Sequence, residues 1–200
     1  LDVRSNYEHE LGHFKNAVRL DIDNFRDFPE KVKELEHLKN KKVLTYCTGG
    51  IKCEKASAFL LDQGFEDVYQ LHGGIIKYGM EAGGEDFEGK CYVFDNRLAV
   101  DVNKVNPKTV SKCFVCGTLS DRMVNCANPE CNVHVPICEA CGWEMEGACS
   151  ESCKTAPQKR PYNGTGYYQK NTNGYNPYKG LYQKPNANKI KTTLHAKSDT

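Results

Sequence analysis

The sequence has no apolar run approaching the ~20 residues that a membrane-crossing helix needs, and no basic segment followed by an apolar one of the kind that directs secretion. No membrane partner is expected, and a cytoplasmic setting is. Charge surplus is almost absent. There are 27 Lys and Arg against 26 Asp and Glu, a net of +1, so overall charge selects no partner. No glycine-rich dinucleotide fingerprint and no two-histidine, one-carboxylate iron pattern occurs, so no nucleotide cofactor is expected. The stretch 108–154 also has too few large apolar residues to fold on a hydrophobic core of its own. The chain opens at Leu1-Asp2-Val3-Arg4, without methionine and already strand-like, which predicts a further segment upstream.

Cysteine is what the chain has in quantity. Of eleven cysteines, eight fall between Cys113 and Cys153 in closely spaced pairs. A secreted disulfide scaffold would spread them through a small chain; clustering in pairs points to metal in a reducing compartment. The pairs are Cys113/Cys116, Cys126/Cys131, Cys138/Cys141 and Cys149/Cys153. "CFVCG" and "CEACG" have the form of zinc knuckles, in which the glycine lets backbone N–H groups reach the sulfurs. Eight sulfurs fill two closed, structural four-cysteine zinc sites. The expected arrangement joins the two CxxC knuckles at one ion and the looser pairs at the other, with sequential pairing as the alternative. His134 is read as a bystander. Metal would supply the folding free energy that this segment's thin core cannot.

Upstream, the pattern is α/β. "KKVLTYC" reads as a buried strand ending at Cys47, and "EKASAFLLDQG" as a helix closed by Gly64. "FEDVYQLHGG" reads as a second strand, "FRDFPEKVKELEHL" as an amphipathic helix with Phe28, Val32, Leu35 and Leu38 on one side, and "KCYVFDNRLAV" as a further strand. Strands alternating with helices predict a parallel sheet flanked by helices. From Thr155 the text becomes Asn, Gly, Tyr, Lys and Pro, a composition expected to be disordered alone. The predicted organisation is 1–82 for the α/β domain, 83–107 for a strand-containing connector, 108–154 for the zinc module and 155–200 for a basic tail.

The stretch "YCTGGIKCEKAS" carries the chemistry. A lone cysteine is ordinarily a small buried residue. Here a strand ends in Cys47, a loop of Thr48, Gly49 and Gly50 follows, and a helix begins through Ile51, Lys52 and Cys53. Such a loop can wrap N–H groups around the sulfur, and the helix N-terminus adds partial positive charge. Together they stabilise a thiolate, the reactive form, or an anionic adduct such as a persulfide. Lys52 adds a cation. Cys53 is either filler or a partner that resolves oxidised Cys47. Asp2 and Arg4 read as a structural ion pair, Glu8, Gly12 and His13 as organisers of the following turn, and His72 as a strand-end cap.

"DVRSNYEHELGHFKNA", "YCTGGIKCEKASAFLLDQGF" and "VYQLHGGI", in that order, resemble a rhodanese domain. With "CYVFDNR" and the cysteine-rich segment, residues 1–154 resemble the bacterial tRNA uridine hydroxylase family. The resemblance implies hydroxylation of the wobble uridine to 5-hydroxyuridine, dioxygen as co-substrate, tRNA as partner, Cys47 as the essential residue, and a ferredoxin-like domain upstream. Lys52 stands where that family usually has arginine; it keeps the charge and loses the planar fork. Two rival readings stay open: a thiosulfate-type sulfurtransferase using the same loop, and a non-catalytic zinc-stabilised RNA-binding adaptor. The tail lies outside the resemblance. From Lys154 onward it holds nine Lys and Arg against one acid. Lys159, Arg160, Tyr167, Tyr168, Lys170, Tyr175 and Lys179 are candidate RNA contacts through phosphate pairing and base stacking. A solubilising tail is the alternative.

Overall fold

In the computed structural model, the described residues are 1–95 and 97–168. Residues Leu1–Tyr167 form one compact unit. Strands β2 (Lys42–Thr45) and β3 (Asp67–Gln70) pair in parallel, with Lys42 opposite Asp67 and Thr45 opposite Gln70. The N-terminal stretch continues this layer as a thin parallel strand, Asp2 bridging both Arg19 and Tyr46. Helix α3 (Ile51–Asp62) connects β2 to β3, which is the crossover that a parallel pair requires.

The parallel layer is half of the architecture. Strands β1 (Gly12–Phe14), β4 (Phe87–Tyr92) and β5 (Ala99–Asp101) form an antiparallel sheet in the order β1–β4–β5. "KCYVFDNRLAV", expected as one strand, is therefore a hairpin. It turns where Leu98 N–H donates to the Asp95 carbonyl, with Leu98 at φ 58°. The helix expected over "FRDFPEKVKELEHL" is also broken up. Only Phe28–Lys31 (α2) is α-helical, and Val32–Leu38 winds as 3₁₀. Val32, Leu35 and Leu38 recur at intervals of three, and a 3₁₀ turn aligns i with i+3, so the tighter winding points all three inward.

The buried apolar side chains of this domain fall into two main clusters. Phe28, Val32, Val43, Ala56 and Leu60 fill one, and Tyr46, Ile75, Phe87, Cys91 and Val102 the other. Helix α4 (Gly74–Ala82) packs against the hairpin, so that a Cβ on Gly79 would come within 2.9 Å of Val102.

A polar centre sits among these clusters. Asp2 Oδ1 accepts from the Arg4 backbone N–H at 3.0 Å and from Nε at 2.9 Å. Asp2 Oδ2 accepts from Arg4 Nη2 at 2.7 Å, Tyr46 Oη at 2.9 Å and His9 Nδ1 at 2.8 Å. Arg4 Nη2 also donates to the Gly12 carbonyl at 2.7 Å. Both charged side chains are completely buried.

The C-terminal module is built on the hairpin of β6 (Met123–Asn125) and β7 (His134–Pro136), with short helices α5 (Glu139–Glu144) and α6 (Glu151–Lys154). Folded structure continues past Lys154. Arg160 N–H donates to the Ala127 carbonyl at 2.9 Å, Asn125 N–H donates to the Gly166 carbonyl at 3.0 Å, and Tyr162 packs edge-on against Trp143 at 5.1 Å. Residues 155–167 thus form a strap over the module. At its other side, Tyr92 Oη meets His134 Nδ1 at 3.1 Å and Tyr7 stacks on His134 at 5.8 Å.

Burial alone would push the Asp2 carboxyl up. The Arg4 charge and the hydrogen bonds from His9 and Arg4 reverse this and hold it well below the usual carboxylate range. Its contribution to stability is therefore complete above the ordinary carboxylate titration and is lost as pH falls towards the folded value. Asp2→Asn leaves Arg4 buried without its counter-charge. It should cost about 3–5 kcal/mol in urea unfolding at neutral pH, and the variant should lose less stability than the parent between pH 5 and pH 3. A loss under ~1 kcal/mol, the scale of an exposed pair, would count against this role for Asp2.

Candidate active site and cysteine centres

Cys47 lies two residues past the end of β2 and is 3% exposed. The chain then reverses through Thr48–Gly50, with Gly50 at φ 91° in the left-handed region that glycine enters without strain. Helix α4 closes the loop from the other side. Ile75 N–H donates to the Cys47 carbonyl at 3.0 Å, and Ile76 N–H to that of Thr48 at 3.2 Å. Gly74, at φ 64°, permits this approach; a Cβ there would stand 2.5 Å from the Cys47 carbonyl oxygen.

The sulfur is held by donors. Gly50 N–H donates to Cys47 Sγ at 3.1 Å. The Cys53 thiol donates to the same sulfur and does most to lower the Cys47 pKa. Burial opposes it, and the N–H groups of Cys53, Lys52 and Gly50 add to the lowering, to about 6. The lowering favours the thiolate form of Cys47. The same hydrogen bond, with burial, pushes the Cys53 thiol up, so Cys53 stays protonated as the donor.

Lys52 differs from expectation in how it acts. Its Nζ pairs at 2.8 Å with Oε2 of the fully buried Glu8 and lies 5.6 Å from the centroid of the Phe94 ring. At the sulfur, Lys52 contributes its backbone N–H. Glu8 also accepts from Ser5 N–H at 3.2 Å, which closes the first turn of α1 (Asn6–Leu11). Thr48 Oγ1 donates to the Tyr92 carbonyl at 3.4 Å and lies 3.9 Å from Cys91 Sγ. Ile51 is 79% exposed beside this loop.

Far along the chain, the eight remaining paired cysteines gather into two sets. Cys113, Cys116, Cys138 and Cys141 form one, and Cys126, Cys131, Cys149 and Cys153 the other, with the sulfurs of each set within 4.8 Å of one another. The contacts Cys116–Cys138 and Cys131–Cys149 are both 3.7 Å, and Cys149–Cys153 is 3.9 Å. A tetrahedron with Zn–S arms of ~2.3 Å has edges of about 3.8 Å, so both sets fit a metal ion. None of the eleven cysteines is joined in a disulfide. His134 joins neither set; its ring lies against Tyr92 and Tyr7, and burial lowers its pKa.

Residues 1–81 match the family described as rhodanese-like domain, and residues 88–154 the family described as rhodanase C-terminal. Among curated proteins, the tRNA uridine(34) hydroxylase of Cytophaga hutchinsonii is 78% identical over 178 residues, 89% of this chain and 57% of that protein. Proteins with the same name from Chlamydia muridarum and Bacillus cereus are both 48% identical, over 82% and 80% of this chain and 51% of each of those proteins. This chain is a partial-length homologue of the tRNA uridine(34) hydroxylases. It spans about half the length of these relatives.

Within the rhodanese-like domain, the structure brings Cys47, Thr48, Gly49, Gly50, Ile51, Lys52 and Cys53 into one loop around one sulfur. The candidate RNA contacts fall elsewhere. Lys159 pairs with Glu146, and Arg160 donates to the Ala127 carbonyl at 3.2 Å and to Asn132 Oδ1 at 2.8 Å, so both are engaged by the module. Tyr167 and Tyr168 are half-buried, and Lys170, Tyr175 and Lys179 lie outside the described residues. Among the described residues, no helix is long and apolar enough to cross a membrane. Sequence reasoning missed two neighbours of the loop. Cys91 is fully buried, and burial pushes its thiol up to about 11, so it is not a second nucleophile. Phe94 is large, apolar and 68% exposed. Neither has a local signal, because both sit in an ordinary apolar strand pattern.

Alkylation of Cys47 by iodoacetamide, followed by peptide mass spectrometry, should rise with pH through a midpoint near 6 and level off above it, since the thiolate is the reactive form. Cys53→Ala removes the largest lowering influence and should move that midpoint upward. A parent midpoint in the ordinary thiol range would refute the cradle.

Proposed function

We propose that this chain carries the reactive centre of an enzyme that hydroxylates the wobble uridine of tRNA anticodons to 5-hydroxyuridine, with dioxygen as oxidant. The observation that carries the reading is the donor-lined thiolate of Cys47, set in the part of the chain homologous to the named hydroxylases. The reaction replaces C5–H of the base by C5–OH. With dioxygen, the second oxygen atom leaves as water and takes two electrons and two protons from a reducing co-substrate. Cys47 is the essential group, as thiolate or persulfide. The N–H groups of Gly50, Lys52 and Cys53 hold its charge, and the Cys53 thiol supplies the fourth donor. A site of this polarity stabilises an anionic sulfur adduct without a metal at the sulfur.

The partner is tRNA and the setting the cytoplasm. Residues 1–82 act as the rhodanese-like domain, 83–107 as its connector and 108–154 as the zinc module, with the strap to residue 167 completing that module. The metal is zinc, one ion per cysteine set. Four thiolates leave no open position, so both ions are structural. Cys113, Cys116, Cys138 and Cys141 hold one ion, and Cys126, Cys131, Cys149 and Cys153 the other.

Nucleoside mass spectrometry of tRNA from cells lacking the gene should show loss of 5-hydroxyuridine and its derivatives. The native gene should restore them and Cys47→Ser should not. Unchanged 5-hydroxyuridine in the deletion, with thiosulfate-to-cyanide sulfur transfer by the purified protein, would replace this reading with that of a sulfurtransferase.

Elemental analysis of the purified chain should give two zinc ions per chain. Cys131→Ser, at an exposed ligand, should release one ion and leave the Cys113 set loaded. Metal-free protein with oxidised cysteines would eliminate the zinc module.

A further inference from the structure

The loop around Cys47 has a neighbour that the thiolate chemistry leaves unused. Phe94 follows β4 by two residues and carries one of the most exposed aromatic side chains among the described residues, at 68%. Its place is fixed from three sides. Lys52 Nζ lies 5.6 Å from the ring centroid, and Lys52 N–H is one of the donors to the Cys47 sulfur. The ring meets Tyr92 edge-on at 5.1 Å and 78°, and the Thr48 hydroxyl donates to the Tyr92 carbonyl. The turn beyond it is tied by Arg97, which forks onto both Asp95 oxygens. One residue, Lys52, therefore links the open ring to the reactive sulfur.

The underlying supports are rigid. Tyr92 is almost fully buried and packs edge-on against Tyr7 at 5.1 Å, and Lys52 is anchored at 2.8 Å to the buried Glu8. An exposed phenyl ring held in place this way loses little entropy when a flat partner settles on it. The cation near the ring increases its appetite for an electron-rich π-face.

We infer that Phe94 is a stacking platform for a nucleobase of single-stranded RNA, holding either the reacting uridine or its immediate neighbour next to the Cys47 sulfur. The inference rests on the proposed action on tRNA and adds a binding residue to it. A base inside an anticodon stack cannot offer its C5 edge to a nearly buried sulfur. It must be splayed out, and proteins that do this commonly receive it on an aromatic face. Stacking on Phe94 sets the distance from the loop without reading the hydrogen-bonding edge, so the choice of uridine falls to other contacts. Phe94 is accordingly a substrate-binding residue, with no part in proton or electron transfer.

The test separates binding from turnover by using the Cys47→Ser chain and an anticodon stem-loop RNA. With 4-thiouridine at position 34, irradiation should place an adduct on the tryptic peptide Cys91–Arg97, at Phe94. In fluorescence anisotropy, Phe94→Ala should weaken the RNA by roughly 5- to 100-fold, the range for loss of one stacked base. The slope of affinity against salt should not change, because no ionic contact is lost. Phe94→Trp should bind within about twofold of the parent. If Phe94→Ala fails to fold, Phe94→Leu carries the same reading with the apolar bulk retained. Unchanged RNA affinity in the ring-free variant, or an adduct confined to other peptides, overturns the platform while leaving the hydroxylase reading in place. Absence of RNA binding by the parent overturns both, whereas binding without hydroxylation by the native chain overturns only the latter.

Discussion

The buried pair of Asp2 and Arg4 is the constraint on which the half of the molecule that carries Cys47 depends. Two full charges out of water are costly unless they are paired and well hydrogen-bonded. Asp2 meets that demand by taking donors from three separate elements: the N-terminal strand through Arg4, helix α1 through His9, and the end of β2 through Tyr46. Arg4 passes the constraint on to β1 through the Gly12 carbonyl. Tyr46 is the residue before Cys47, so the position of the sulfur is coupled directly to the least movable charge in the domain.

Above that base, the Cys47 sulfur is held by the Cys53 thiol together with backbone N–H groups. The donors on the Cys47 sulfur are mostly peptide N–H groups, and the loop keeps its shape because glycines at positions 50 and 74 let two chain segments approach closely. Side-chain charge is used differently. The Lys52 ammonium, which proximity in sequence assigns to the sulfur, is turned instead onto Glu8. This leaves the thiolate stabilised by fixed dipoles that need no reorganisation when its charge is transferred or modified.

Local features were legible in the sequence. The strand, glycine loop and helix at Cys47 are contiguous and their chemistry follows from their order, and the paired cysteines announce their own ligand count. What could not be read depends on partners far along the chain. The Glu8–Lys52 pair spans 44 positions, and the hairpin is needed to bring Phe94 beside Lys52. The helix expected over Phe25–Leu38 changes type because its apolar intervals are four, then three and three, and packing selects the 3₁₀ winding that suits the threes. Residues 155–167 read as low-complexity tail because their order comes from the module. Tyr162 is held by Trp143 and Arg122, and Arg160 by carbonyls beside Cys126.

The interleaving of the two cysteine sets has a consequence for how the module is made. The span from Cys113 to Cys141 closes around Cys126 and Cys131, while the span from Cys126 to Cys153 closes around Cys138 and Cys141. The two closures share residues 126–141, which include β7, so they are linked like overlapping arcs and not like beads on a string. On a growing chain the first arc can close as soon as Cys141 emerges. Doing so folds the hairpin and presets half of the second set before its last two sulfurs exist. Synthesis from the N-terminus thus imposes a temporal order on two chemically equivalent sites, an order that a protein refolded from full length need not follow.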